Sequence, residues 1–438
     1  MSSEGVWPKN RTLLSVFLSV FMMIPHLAVA DDIALTYGLQ DGFYIKTSGE
    51  GGPELHLGGS FQADYRTYNE TARADDRFDI RKARLSLRGR IVSWLGFGLE
   101  YEFQPEDTNN LVDAYLDWQL PASIGLKAGQ FKEPYGLDWS SPDKALLFAE
   151  RSMGNCLSPQ RDVGLMLHGS ALQETFSFGM GLFNGNGEDG SNRGSEHDEP
   201  EIAGRLAIKP FAVTGIEGLE SFQLGASGAR ARIDPALINI KVKSTGMTGL
   251  SLNVYTLTPN TKFGLIDDVG RRERWGAEAG WSWGPVAAWG EYFALVYTEL
   301  HPVTGPISDA KFSDWYVSLA WCPTGEAISF AGGVLNPILP RRPFDPAAGG
   351  YGAVCLALRS DHFHGDEDLI KFDDQVSVRK ADALSVALTW ILIPQHRIML
   401  DFTRTILSDP LRVRVNPDGS ADHIDRENVA TVRFSLDL

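Results

Sequence analysis

Four cations within ten residues set the first chemical question. In "FDIRKARLSLRGRI" (78 to 91), Lys82, Arg84, Arg88 and Arg90 stand two or four residues apart. In an extended strand side chains alternate faces, so these four, with Ser86 among them, share one face. The other face carries Ala83, Leu85, Leu87, Gly89 and Ile91 and is apolar after Arg81. On a helix the same cations would scatter around the cylinder. A basic strand face of this kind suits the guidance or binding of anions in water. The rival reading is a charge-paired wall, because Glu100, Glu102, Asp113 and Asp117 follow on the next two alternating segments.

The elements that must carry these residues are strands. "FGLEYEF" puts Phe97, Leu99, Tyr101 and Phe103 opposite Gly98, Glu100 and Glu102, and "DAYLDWQL" alternates in the same way. "LSVALTWIL", "RIMLDFTR" and the closing "TVRFSLDL" repeat the pattern, the last running to Leu438. Such alternation marks strands with one apolar and one polar face. A soluble sandwich and a membrane barrel both satisfy it. Aromatics near strand ends (Trp94, Phe131, Tyr135, Trp281, Trp283, Trp289, Trp315, Trp321, Trp390) suit interfacial girdles and favour the barrel. In a barrel the cations cannot face lipid, where each costs ~2–4 kcal/mol near the midplane. They must face the lumen.

Composition and processing signals agree. The chain has 438 residues, formal net charge −16, 45 glycines and 23 prolines. Lys9 and Arg11, the apolar run "LLSVFLSVF" and Ala28-Val29-Ala30 read as a signal peptide over 1–30, with Asp31 as mature N-terminus and 31–438 as a single barrel domain. No later segment approaches the ~18 consecutive apolar residues of a spanning helix. Three cysteines, Cys156, Cys322 and Cys355, allow at most one bridge and fit no zinc signature. Long polar connections are expected at 184–200, 301–311, 339–352, 360–375 and 408–425, alternating with tight turns at 92–96 and 120–125. About sixteen strands fit, with 210–270 the ambiguous stretch.

With those segments in order, a resemblance emerges. "FDIRKARLSLRGRI", "FGLEYEF", "LVDAYLDWQLP", "LKAGQFKEPYGLDWSSPDKALLFAERSM" and "SPQRDVGLMLHG" together resemble the phosphate-selective porin family (porins O and P). "FNGNG", "AGRLAIKPF", "WGAEAGWSWGPVAAWGEYF", "WYVSLAWCPTGE", "RRPFDP" and "RIMLDFTRT" continue it, over most of 75–438. The resemblance implies an all-β, transmembrane antiparallel barrel of about sixteen strands with long extracellular loops. It also implies a Gram-negative outer-membrane location among lipid and lipopolysaccharide, a homotrimer, and passive passage of small anions, phosphate or polyphosphate first. Segment 132–163 corresponds to the family's inward-folded constriction loop and offers Lys132, Ser140, Ser141, Lys144, Arg151 and Arg161. The chain departs from the family in ending on Leu438 in place of Phe and in carrying Lys82 where a second Arg is common; Lys brings a hydrated point charge without a planar fork.

The candidate anion-binding residues are therefore Arg81, Lys82, Arg84 and Arg151, then Lys144, Ser140 and Ser141, with Arg88 an outer member of the ladder. An oxyanion leaving bulk water needs donors and positive potential, without any single site holding it too tightly. "RRER" (271–274) reads as a solvated strand end. "DHFHGDED" (361–368) and the Gly/Asp/Asn loop 184–200 read as solvated loops rather than metal sites. No cofactor, metal or nucleic-acid partner is expected. The rivals are a weakly selective general porin and, from another class, a barrel enzyme. The latter needs a Ser/His pair on an outward face near the membrane rim, and no nucleophile motif displays one.

Overall fold

The computed structural model describes residues 35–39, 42–47, 52–68, 76–104, 110–172, 174–185, 199–244, 252–258, 260–261, 263–368 and 377–438. The proposed signal peptide and most of loop 184–200 lie outside these residues. Sixteen strands close into one antiparallel ring: β1 (Glu54–Tyr68), β2 (Arg77–Val92), β3 (Leu95–Glu102), β4 (Leu111–Leu120), β5 (Ile124–Lys132), β6 (Arg161–Ala171), β7 (Phe176–Phe183) and β8 (Glu201–Ile208). The second half comprises β9 (Gln223–Ala231), β10 (Arg271–Trp283), β11 (Val286–Pro302), β12 (Ser308–Trp321), β13 (Ala353–His364), β14 (Lys380–Ile393), β15 (His396–Val415) and β16 (Ala421–Asp437). Closure is made by β16 on β1, from Val429 opposite Tyr68 to Asp437 opposite Ser60. Leu438 and Gly59 then exchange backbone bonds at 2.8 and 3.1 Å. An N-terminal hairpin, Leu35–Leu39 with Phe43–Thr47, continues this seam by pairing with Glu54 to Leu57 of β1.

Period two decides what faces where. Leu356, Leu358, Leu384, Val386, Leu400 and Phe402 are 40–50 % exposed on the outer face, while Ser385, Thr389 and Thr403 between them are buried inside. So much contiguous outward apolar surface is a liability in water and a necessity in lipid. Trp94, Trp283, Trp315 and Trp321 stand exposed on this surface, as girdle residues should. Phe131, Tyr135 and Trp289 do not; they are buried within the barrel, which corrects their assignment to a girdle.

The connections also depart from the sequence reading. Pairing makes 301–311 and 408–425 mostly strand, with only 303–307 and 416–420 as turns. Ser360 to His364 belong to β13. The stretch 339–352 lies on the short-turn side, as part of the 322–352 connection between β12 and β13. The stretch 210–270 contributes one barrel strand, β9, a lumen-side hairpin, Ile240–Lys243 with Asn253–Leu257, and two short strands, Asn260–Thr261 and Gly264–Asp268, the latter pairing with the end of β11. Cys322 and Cys355 form a disulfide across the base of the 322–352 connection, and Cys156 is a free thiol.

Candidate functional site

The interior is filled from both ends. Between β5 and β6 the chain folds inward, beginning at Gly136, whose φ of +52° suits glycine. A Cβ at Gly136 would meet Glu291 Oε1 at 2.7 Å. Glu291 of β11 instead accepts hydrogen bonds from the amides of Leu137 and Asp138, the latter at 2.8 Å, at the first turn of Leu137–Ser140. The far wall holds the rest of the loop. Asp361 of β13 accepts from the Met153 amide at 2.8 Å, and Asp401 of β15 from that of Ala149 at 3.2 Å. Thr389 donates to the Leu147 carbonyl at 3.0 Å, and Arg359 to the carbonyls of Glu150 and Arg151 at 3.1 and 3.3 Å. Arg397 reaches the carbonyls of Asp143 and Leu146 at 2.7 and 3.0 Å. From the other end, the 322–352 connection enters the lumen. Arg205 bonds the Gly333 carbonyl at 2.5 Å, Lys209 that of Phe330 at 2.6 Å, and the Leu335 amide donates to Ser141 Oγ at 3.0 Å. Tyr135, Leu137, Trp139, Leu147, Phe330 and Leu335 are buried in one apolar mass with inward residues of β11 to β14.

What stays open is a cavity of about 210 Å³ against β1 to β6, β15 and β16. Nine cations line it: Arg81, Lys82, Arg84, Lys132, Arg151, Arg161, Lys243, Arg397 and Arg433. Three carboxylates oppose them: Glu102, Asp143 and Glu150. Trp139 presents its ring to Lys132 Nζ at 4.6 Å and to the guanidinium of Arg161 at 5.4 Å.

A bulge explains how adjacent Arg81 and Lys82 both reach this cavity. On β2 the register with β1 runs Gln62 opposite Lys82, then Ala63 opposite Ile80, leaving Arg81 as the extra residue. Before the bulge Phe78 and Ile80 face outward; after it the even residues face in. Strict alternation would have sent Arg81 with the apolar face.

The pairing is specific. Lys82 is bonded to Asp143, which also accepts from Arg151 Nη2 at 2.7 Å. Arg81 pairs with Glu150 at 3.3 Å, where Arg66 and Arg433 converge at 2.5 and 2.6 Å. Arg84 lies between Glu102 and Glu100 at 2.8 and 3.0 Å. Burial alone would raise the two loop carboxyls, but the surrounding cations outweigh it and hold both below the ordinary carboxylate range. Lys82, Arg151, Lys132 and Arg84 do this for Asp143; Arg81, Arg433 and Arg66 do it for Glu150.

The other candidates sit elsewhere. Ser140 and Ser141 turn their hydroxyls to the carbonyls of Tyr135 and Leu137, at 2.9 and 2.7 Å, and lie off the cavity wall. Lys144 is exposed and Arg88, paired with Glu100 at 2.8 Å, stands further down β2; neither lines the cavity. Sequence reasoning did not single out Lys243, Arg397 and Arg433. The last two sit on the polar faces of "RIMLDFTR" and "TVRFSLDL", a signal that was available. The "RRER" reading needs correction: Arg272 and Arg274 turn inward onto Glu201 at 2.6 and 3.0 Å, because β10 continues through them.

Relatives fit this architecture. Among solved structures, an anion-selective porin from Comamonas acidovorans aligns at TM-score 0.53 and 14% identity, covering 88% of this chain and 100% of its own. OmpT of Vibrio cholerae aligns at 0.52 and 8%, covering 90% and 100%. The outer-membrane channel DcaP of Acinetobacter baumannii gives 0.52 and 9%, covering 89% and 99%. At these identities the likeness is one of fold. No curated protein matches the sequence. The sequence model of phosphate-selective porins O and P, however, matches residues 55–436, nearly the whole barrel. The chain belongs to the phosphate-selective porin O and P family.

Proposed function

We propose that this porin passes small anions across the outer membrane, with phosphate and polyphosphate as prime candidates, along the cavity between β1–β6 and the inward-folded loop. The carrying observation is the imbalance of that cavity, nine cations against three carboxylates in the space that the inward loop leaves open. In a narrow low-dielectric passage such an excess replaces lost hydration and raises local anion concentration. The pairing supports a path without one deep trap, since Asp143 and Glu150 compete with a permeating oxyanion for the cations that would hold it. In this reading Arg81, Lys82, Arg84 and Arg151 meet the anion directly, joined by Lys132, Arg161 and Arg433. Lys144 and Arg88 act outside the narrow region, and Ser140 and Ser141 hold the loop. The porin O and P family and the anion-selective neighbour support the assignment; a homotrimer in contact with lipid and lipopolysaccharide is part of the same proposal.

A second reading has its own observation. Arg84 is flanked by two carboxylates and Arg88 by one, as in a charge-paired wall of a weakly selective porin. Current from purified protein in a planar bilayer under a KCl gradient separates the two. Reversal potential of anion-selective sign, with added phosphate reducing chloride current, is expected; a cation-selective or unselective current indifferent to phosphate overturns the proposal.

A further inference from the structure

The outer face of the barrel carries a constellation that conduction does not use. Ser360 and His362 stand two apart on β13 and point outward together, while Asp361 between them points inward. His362 Nε2 lies 2.8 Å from Ser360 Oγ. Its Nδ1 lies 2.6 Å from Asp382 Oδ1 on β14, directly opposite in register. On the other side Trp315 of β12, also directly opposite, stacks on the imidazole with centroids 4.1 Å apart and planes 20° apart. This overturns the reading that no outward Ser/His pair exists. Ser360 and His362 share one strand face, and register with β14 brings Asp382 to them.

The order of contacts matters. With Asp382 accepting from Nδ1–H, the Nε2 lone pair is left facing the serine hydroxyl, the arrangement in which a serine is activated as a nucleophile. The depth matters as well. Toward the loop side of His362 the next outward residues are His364 and Lys380; toward the turn side they are Leu358, Leu356, Leu384 and Val386. Trp315 and Tyr292, opposite each other on β12 and β11, mark the upper aromatic girdle. The constellation therefore lies where acyl chains give way to headgroups, the depth of lipid ester carbonyls.

We propose that Ser360, His362 and Asp382 form an esterase centre for acyl esters of membrane lipids that contact the outer face of the barrel. Ser360 Oγ bonds to the ester carbonyl carbon as its proton passes to His362 Nε2. The carbon–oxygen bond to the alcohol breaks, the alcohol leaves with that proton, and the acyl group stays on Ser360. Water then attacks the acyl carbon and gives a proton to His362, which returns it to Ser360 Oγ as the fatty acid departs. Asp382 offsets the imidazolium charge. Residues 356–364 are engaged in ladders with both β12 and β14, so no pair of spare strand amides faces the oxyanion beside Ser360. Each missing oxyanion donor costs about 10²–10³ in rate, so turnover is slow and the acyl-enzyme long-lived.

The test uses full-length protein in phospholipid vesicles, a long-chain fluorophosphonate, and peptide mapping, alongside fatty-acid release from the vesicle lipid. Labelling at Ser360 is expected, at least tenfold slower in His362→Gln, with fatty-acid release abolished in Ser360→Ala. Single-channel conductance should be unchanged in both variants, so a loss of folding is recognised and the porin assignment is judged separately. An unlabelled Ser360 in the folded wild-type barrel overturns the proposal, as does labelling at equal rate in His362→Gln. Hydrolysis of p-nitrophenyl butyrate without fatty-acid release overturns the lipid assignment.

Discussion

Lys82 on β2 and Arg151 on the inward-folded loop share one carboxylate, that of Asp143. The loop thus carries an anion that docks on the basic ladder where a permeating anion would pass. Asp143 is at once a fastener for the loop and a competitor for the ion.

Asp143→Asn keeps the side-chain shape and removes one of the three carboxylates opposing nine cations. The ratio of anion to cation permeability should rise, roughly twofold, with larger current fluctuation as the loop loosens. Reversal potentials in a KCl gradient measure it; a shift toward cations would contradict the proposed path.

Arg84 and Arg88 both contact Glu100, but only Arg84 lines the cavity. Arg84→Ala should reduce anion preference. Arg88→Ala breaks a pair whose cation is 57 % exposed, and such a pair contributes about 0–1 kcal/mol, so both selectivity and stability should stay near wild type. Equal effects from the two substitutions would argue for a uniformly paired wall.

Arg433 is 5 % exposed and holds Asp64 at 2.7 Å, Glu150 at 2.6 Å and the Ala149 carbonyl. Its removal leaves two buried carboxylates short of a partner. Arg433→Ala should cost about 3–5 kcal/mol of stability, read as a lower urea midpoint for loss of the barrel. It should also lower anion preference, since Arg433 lines the cavity while Arg66 and Arg81 still hold Glu150.

The carboxyls of Asp143 and Glu150 sit below their ordinary values in the folded protein, through their cations and against burial. Their contribution to docking is therefore complete above about pH 4 and is lost as pH falls through the lowered values. Open-channel noise should be flat from neutral pH down to that point and rise only below it. A rise between pH 7 and pH 5 would show that other groups hold the loop.

The Cys322–Cys355 bridge spans 33 residues, a loop for which closure entropy corresponds to about 3–4 kcal/mol. Cys322→Ser with Cys355→Ser should lower the thermal midpoint and release the 322–352 connection to protease from the short-turn side. Cys156 lies in the inward loop, where burial pushes its thiol up to about 11. A maleimide should leave it unmodified at neutral pH until the barrel is denatured.

Much of the barrel could be read from period two. β14, β15 and β16 face as "LSVALTWIL", "RIMLDFTR" and "TVRFSLDL" require, because a one-residue slip would put polar side chains into lipid. The porin segment from Lys132 to Arg161 was legible through its motifs. Nothing in the sequence gives the geometric reason for Arg81: a bulge changes parity at one residue and leaves no mark in alternation. The stretch 339–352 reads as one of the long loops because its composition resembles that of any surface loop; only strand direction reveals that it belongs to the turn side. Ser360, His362 and Asp382 were illegible for a related reason. A site shared between strands depends on register, and register is a property of pairs.

The carbonyls of the inward loop are held by Arg359, Arg397 and Arg433, the last of them 284 residues beyond its partner Ala149. A nascent chain makes the loop long before it makes those arginines. Glu291, Asp361, Thr389 and Asp401 come earlier, on β11 to β15, but the hold on Ala149 and Glu150 is complete only when β16 brings Arg433. The docking of the loop is thus completed only as the seam closes, and a fully docked loop is itself the mark of a finished barrel. A chain truncated before β16 should leak, whatever its other strands have achieved.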